Sequence, residues 1–394
     1  MTFSSANISL LEDWGNPESS DLSDATKQAA AEGKPLRDFV TANPQLHGFA
    51  FDEALLADIL AEAAREARVY APDSSGRVTA REAVAAYHGD GLTADQVVLT
   101  PGTSFGYWAA FRLLADLAGG EVLCPSPTYP LFDDLARLAG LSVRRYHLYR
   151  QGPRWVVDPE ELAFQITPRT RAIALVSPHN PTGSVANMDD LMTVGRLARR
   201  HKLAVIFDEV FREFVHRPEA VVSRPAEFGA PLVITLNGLS KMLSLPGLKG
   251  AWMAVEGEPE LTRPFLRSLD YLADTFLPVS EITQAAMPRL LREGADETRR
   301  FAALYTSRMK SLTTAWQSDG GSVGAGVVMP EAGPYLTIDL GEADTRRGVL
   351  RLVRDHGILL HSGDMYDMTA GHLVMTAVAP PPYLIAEIMG AMPD

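Results

Sequence analysis

The sequence predicts an α/β fold: a mostly parallel central sheet flanked by helices, with a smaller C-terminal α+β lobe. Three observations carry this. Short β-rich apolar runs alternate with amphipathic helical stretches through the middle of the chain, the pattern of a parallel sheet covered on both faces. After about residue 280 the alternation gives way to long helices and a few separated strands. With 394 residues, 46% of them hydrophobic, the chain is long enough to bury two lobes. In such sheets ligands bind beyond the carboxyl ends of the strands, so the chemistry is sought there.

Residues 1–44, rich in Ser, Asp, Asn and Pro, are read as an N-terminal segment that wraps the fold without a core of its own. A large domain over 45–280 begins with the periodic helix Asp52 to Val69, whose apolar face carries Leu55, Leu56, Ile59 and Leu60. Its strands are expected at Gln96 to Leu99, Glu121 to Leu123, Ser142 to Tyr149, Ala172 to Val176, Ala204 to Phe207, Leu232 to Thr235 and Trp252 to Val255. Helices at Ser104 to Leu117 and Met188 to His201 lie between them. The small domain, 281–394, holds helices at Glu281 to Leu291 and Asp296 to Gln317, then strands at Tyr335 to Leu340 and His372 to Val378.

Composition narrows the function. The net charge of −13, from 36 basic and 49 acidic side chains, repels phosphate backbones and gives no reason to bind nucleic acid or an anionic membrane. The single cysteine, Cys124, permits no intrachain disulfide and no cysteine metal cluster, and no metal site is expected. That favours a reducing cytoplasm. Neither a signal peptide nor a run of about 18 apolar residues is visible.

Four motifs fall at predicted strand ends. Gly102-Thr103-Ser104 opens a helix, and the unpaired amides of a helix start suit a phosphate, although a self-capped helix explains the same residues. Asn180, in Ser177-Pro178-His179-Asn180-Pro181-Thr182-Gly183, is a turn residue or a hydrogen-bond donor to a ligand. Asp208 closes the run Val205-Ile206-Phe207-Asp208, where an unpaired carboxylate is costly; a helix cap or buried ion pair is the alternative. Lys241 follows Leu239-Ser240 and precedes Lys249 by eight residues; most lysines in such places reach for solvent. Together the motifs supply what pyridoxal phosphate chemistry requires, an amine for a Schiff base and a carboxylate to hold the pyridine nitrogen protonated.

The sequence resembles the class I/II aminotransferases of pyridoxal-phosphate fold type I from about Asn7 to the C-terminus. The resemblance implies pyridoxal 5′-phosphate as cofactor, Lys241 as its Schiff-base lysine, Asp208 as partner of the pyridine nitrogen and Asn180 as donor to the phenolic oxygen. It further implies Gly102, Thr103, Ser104, Ser240 and Lys249 around the phosphate, and Tyr129 stacked on the ring. Gly15 is implied at the substrate, beside Asn180, and the protein is expected to be a homodimer. A weaker local likeness, in Leu245-Pro246-Gly247-Leu248 and Asp270-Tyr271-Leu272, is to capreomycidine synthase-like cyclases.

Two departures from the family pattern stand out. Phe211 occupies the place of a tyrosine whose hydroxyl also bonds the phenolic oxygen, so one hydrogen bond is lost. Val374 aligns with the arginine that ordinarily holds the substrate α-carboxylate, and a valine offers no such contact. The substrate then lacks an α-carboxylate, or another cation such as His361 or His372 takes over, or the carboxylate sits in an apolar pocket because it is to be lost. The expected function is an aminotransferase-like enzyme acting on a specialised amine or amino acid of secondary metabolism. A lyase, cyclase or decarboxylase on the same scaffold, including β- or γ-elimination and C–S cleavage, is the alternative. A non-catalytic sensor module is set below both, because Lys241 and Asp208 are retained.

Overall fold

Strands buried on both faces need apolar residues in unbroken runs, and the middle of the chain supplies them. The computed structural model describes residues 21–40, 43–89, 91–128, 130–217, 219–220, 228–319, 326–379 and 385–392. Its central sheet has eight strands: β1 Val97–Thr100, β2 Glu121–Ser126, β3 Ser142–Gln151, β4 Arg154–Val157, β5 Thr170–Val176, β6 Ala204–Asp208, β7 Leu232–Gly238 and β8 Ala251–Gly257. Their order is β1-β8-β7-β6-β5-β2-β3-β4. All neighbours from β7 to β3 are parallel, whereas β8 runs against both β1 and β7, and β4 forms a hairpin on β3. That hairpin strand is absent from the sequence reading, which ends the segment at Tyr149.

Alternation along each strand sends neighbours into different layers. Ala172, Ala174 and Val176 of β5 pack with Ala109, Ala110 and Phe111 of helix α4 (Thr103–Leu114), while Ile173 and Leu175 pack with Leu191, Val194 and Leu197 of α6 (Met188–His201). The latter helix is fixed at its start by a reciprocal cap: Asn187 accepts from the Asp190 amide, and Asp190 accepts from that of Asn187. Three further helices, α2 (Glu53–Glu66), α3 (Val78–His88) and α9 (Glu281–Glu293), close over β1 and β8 through Ile59, Val84, Leu99, Trp252 and Leu290. Helix α5 (Phe132–Ala139) packs beside α4, α7 (Leu239–Met242) follows β7, and α8 (Pro259–Phe276) lies across α4.

An antiparallel sheet forms the remainder, in the order β9-β10-β12-β11: β9 Gly326–Val327, β10 Tyr335–Asp339, β11 His361–Ser362 and β12 His372–Thr376. Its core joins Leu336, Ile338, Leu373 and Met375 to Met309, Leu312 and Trp316 of α10 (Ala295–Asp319). Leu22, Ala25 and Ala29 of α1 (Asp21–Ala31) enter the same core, and Arg37–Asp38 pairs in parallel with Ile358–Leu359. So the early chain is built into the C-terminal sheet's core. Among the described residues, no helix is long and apolar enough to cross a membrane and no group of three or more metal-ligating side chains occurs.

Candidate active site

Register brings the chemistry together. Val176, Asp208 and Leu236 stand side by side at the carboxyl ends of β5, β6 and β7, so the segments that follow them leave the sheet at one edge. There a cavity of about 290 Å³ is lined by Asn180, Asp208 and Lys241 from those three segments and by Gly102, Thr103 and Ser104 from the start of α4. Phe211, Ser240 and Lys249 also line it, so nine of the expected cofactor-site residues share one cavity. Tyr129 and Gly15 lie outside the described residues.

Each wall has a local cause. Helix α4 begins after Gly102, which supplies no side-chain cap, and the early amides of a helix without such a cap form an anion-binding terminus. A methyl group at Gly238 would lie 2.7 Å from Ala251 Cβ, and one at Gly250 would lie 2.9 Å from both Leu239 and Thr283. Those glycines let the Lys241 segment fold back against β8. The Asn180 side-chain oxygen is buried with no hydrogen-bond partner among the described residues. Since the two ends of an amide exchange by a half-turn, this end can present either a donor or an acceptor to a ligand.

Electrostatics set the lysine and the carboxylate against their ordinary states. Burial lowers the Lys241 pKa, and the attraction of Asp208 offsets part of that. Asp208 is pushed up by burial and held down by the Val210 amide, by Tyr107 and by Lys241. The Lys241 ammonium lies 5.9 Å from the centre of the Phe211 ring. An amine whose pKa burial lowers, an opposed carboxylate, an unpartnered amide and a helix start suited to an anion are a donor set that fits pyridoxal 5′-phosphate.

Several residues that line the cavity were not assigned to the site from sequence, among them Tyr107, whose hydroxyl donates to Asp208 Oδ2 at 2.9 Å, and the walls Leu131, Phe132 and Tyr335. Val374 does not itself line the cavity. It is fully buried with Tyr366 and Met368, and Tyr335, which packs on that cluster, is the residue that reaches the cavity. Neither histidine considered as a substitute cation lines it either. His361 bonds the Tyr366 hydroxyl at 3.0 Å and burial lowers its pKa to about 4, leaving it neutral near pH 7; His372 bonds the Thr369 carbonyl and packs against Trp155.

A parallel sheet with a buried lysine and carboxylate at its carboxyl edge, beside a small antiparallel sheet, is the architecture of the aminotransferase fold. A family described as aminotransferase class I and II matches residues 30–379, and the chain belongs to it. Relatives include the glutamate-pyruvate aminotransferase AlaA of Escherichia coli, 27% identical over 350 residues that cover 86% of this chain and 85% of that protein. An alanine aminotransferase of Mycobacterium bovis is 31% identical over 65% of this chain and 61% of its own length. The S-alkyl-thiohydroximate lyase SUR1 of Arabidopsis thaliana is 33% identical over 58% of this chain and 50% of that protein. Among solved structures, an alanine aminotransferase from Pyrococcus furiosus superposes with a TM-score of 0.85 over 99% of this chain and 98% of its own, at 23% identity.

Proposed function

We propose that this aminotransferase uses pyridoxal 5′-phosphate, attached through Lys241, to transaminate a specialised amine or amino acid whose reacting carbon carries no conventionally held α-carboxylate. When bound, the cofactor supplies an electron sink for the bond broken at that carbon. The chain's own residues do the rest. Thr103, Ser104, Ser240 and Lys249 with the Gly102 turn hold the phosphate; Asn180 meets the phenolic oxygen; Asp208 meets the ring nitrogen. Lys241, its pKa lowered by burial, would serve as general base and then general acid at the reacting carbon of the substrate. The apolar walls exclude water from that transfer.

One observation carries the substrate reading: among the described residues, the only cationic side chains lining the cavity are Lys241 and Lys249. Both are assigned to the cofactor, and Val374, in the arginine's place, is sealed among Tyr366 and Met368. Tyr129 on the ring, Gly15 at the substrate, the homodimer, the cytoplasmic setting, a place in secondary metabolism and the division at residues 44 and 280 belong to the same proposal. A second reading, β- or γ-elimination, is favoured by the partial likeness to a protein named an S-alkyl-thiohydroximate lyase.

The test is a single-turnover spectrum of the holoenzyme against a panel of amines and amino acids without keto acid, run beside an ammonia assay. Conversion of the yellow cofactor to its colourless amine form without ammonia establishes transamination and names the donor. Ammonia with the yellow form restored establishes elimination. If the substrate reading holds, an amine lacking an α-carboxylate is used with kcat/KM about tenfold or more above that of the matching α-amino acid, the worth of one charge-assisted contact; equal or better use of the α-amino acid refutes it.

A further inference from the structure

We propose that Tyr107 is a positioning residue that holds the Asp208 carboxylate in its working plane and sets how strongly it draws the proton of the cofactor's ring nitrogen. This rests on the reading of Asp208 given above. The two oxygens of Asp208 each have one donor: Oδ1 accepts from the Val210 amide at 3.0 Å and Oδ2 from the Tyr107 hydroxyl at 2.9 Å. Two donors from different elements fix the carboxylate's rotation as one cannot. The tyrosine is itself immobilised, edge-on to Phe132 at 5.1 Å and tilted against Phe111 at 5.8 Å.

Placement on α4 gives this contact a further role. Tyr107 follows Thr103 by four residues and Ser104 by three, so all three share one helix face, and all three line the cavity. One helical turn thus links the phosphate-binding end of the site to the group behind its carboxylate. Burial of Tyr107, reinforced by Asp208, raises its pKa well above the ordinary phenol value, so the hydroxyl remains a donor across the working pH range. A donor on Oδ2 makes the carboxylate less basic and leaves the shared proton on the ring nitrogen, where it strengthens electron withdrawal.

Tyr107→Phe removes the hydroxyl and keeps the packed ring. Cofactor labelled with nitrogen-15 at the ring position should shift toward the unprotonated pyridine value, and cofactor affinity, titrated into the apoprotein, should fall about tenfold, as for one hydrogen bond to a charged group. Incorporating 3-fluorotyrosine at position 107, a stronger donor, should move the nitrogen resonance the opposite way. Asp208→Asn separates the two layers of the argument. If that variant leaves resonance and affinity unchanged, the reading of Asp208 itself fails. If it moves both, while the phenylalanine and fluorotyrosine proteins match wild type whatever their melting temperatures, the role of Tyr107 is overturned.

Discussion

Phe211 shows how one missing oxygen tunes a site. Its ring is buried, lines the cavity, lies edge-on to Tyr335 at 5.9 Å and leaves Lys241 facing carbon rather than a hydroxyl. A donor toward the cofactor's phenolic oxygen stabilises the charged phenolate, so its absence should raise the pKa at which the lysine-bound cofactor changes colour. Phe211→Tyr is therefore expected to lower that midpoint by about one unit or more. A spectrophotometric pH titration reads it directly, and superimposable curves for the two proteins would refute the idea. Lys241, Asp208 and Asn180 were legible as candidates in the sequence because polar residues at or just beyond the ends of three apolar strands have a joint explanation in one site that their separate structural explanations lack. Tyr107 was not. It sits at helical spacing on the apolar face of α4, where an aromatic reads as core packing, and only the sheet register shows its hydroxyl meeting Asp208.

Among the elements, α4 carries the most function, and Gly106 governs where it lies. A Cβ at Gly106 would stand 2.9 Å from Leu236 Cδ2 and 3.4 Å from Met253 Cγ, so the helix rests closely on β7 and β8 and a larger residue there must displace those side chains or the helix. Gly106→Val should force α4 outward, costing about 1–3 kcal/mol through overpacking. The same movement displaces Thr103, Ser104 and Tyr107, so cofactor affinity should fall alongside stability. Urea midpoints and cofactor titration of the same protein decide this; lost stability with intact affinity would mean that α4 does not deliver the phosphate site. Most strands and long helices were readable from periodicity, and Met188–His201 matches residue for residue. The β4 strand was not readable, because four residues after a turn at Gly152 give too short a run to show alternation. Tyr335 as a cavity wall was equally hidden, since it depends on how the small sheet meets the large one.

At the scale of the whole molecule, the layers are held together by polar contacts as well as by apolar cores. Arg145 pairs with Asp367, Arg150 with Asp339 and Arg154 with Glu331, so the β3–β4 hairpin is tied to the region of the small sheet at three points. A second network ties α3 to the central sheet: Trp252 donates to His88 Nε2 at 2.8 Å, His88 Nδ1 lies 3.6 Å from Glu209, and Glu209 accepts from Asn237 at 3.2 Å and Arg212 at 3.0 Å. Burial raises the Glu209 pKa to about 7, with Arg212 and Asn237 offsetting part of the effect. A carboxyl group with a folded pKa near 7 and an ordinary value of 4.5 binds its proton more tightly when folded. Its stabilising contribution is complete below about 4.5 and is lost as the pH rises toward 7. In Glu209→Gln this titration is absent. The stability of wild type relative to the variant should therefore fall between about pH 4.5 and 7, by roughly 1–3 kcal/mol. Urea unfolding of both proteins at several pH values across that window measures the difference. A difference that stays level would mean that Arg212 keeps Glu209 ionised throughout, making the network a permanent ion pair rather than a proton-dependent tie between α3 and the sheet.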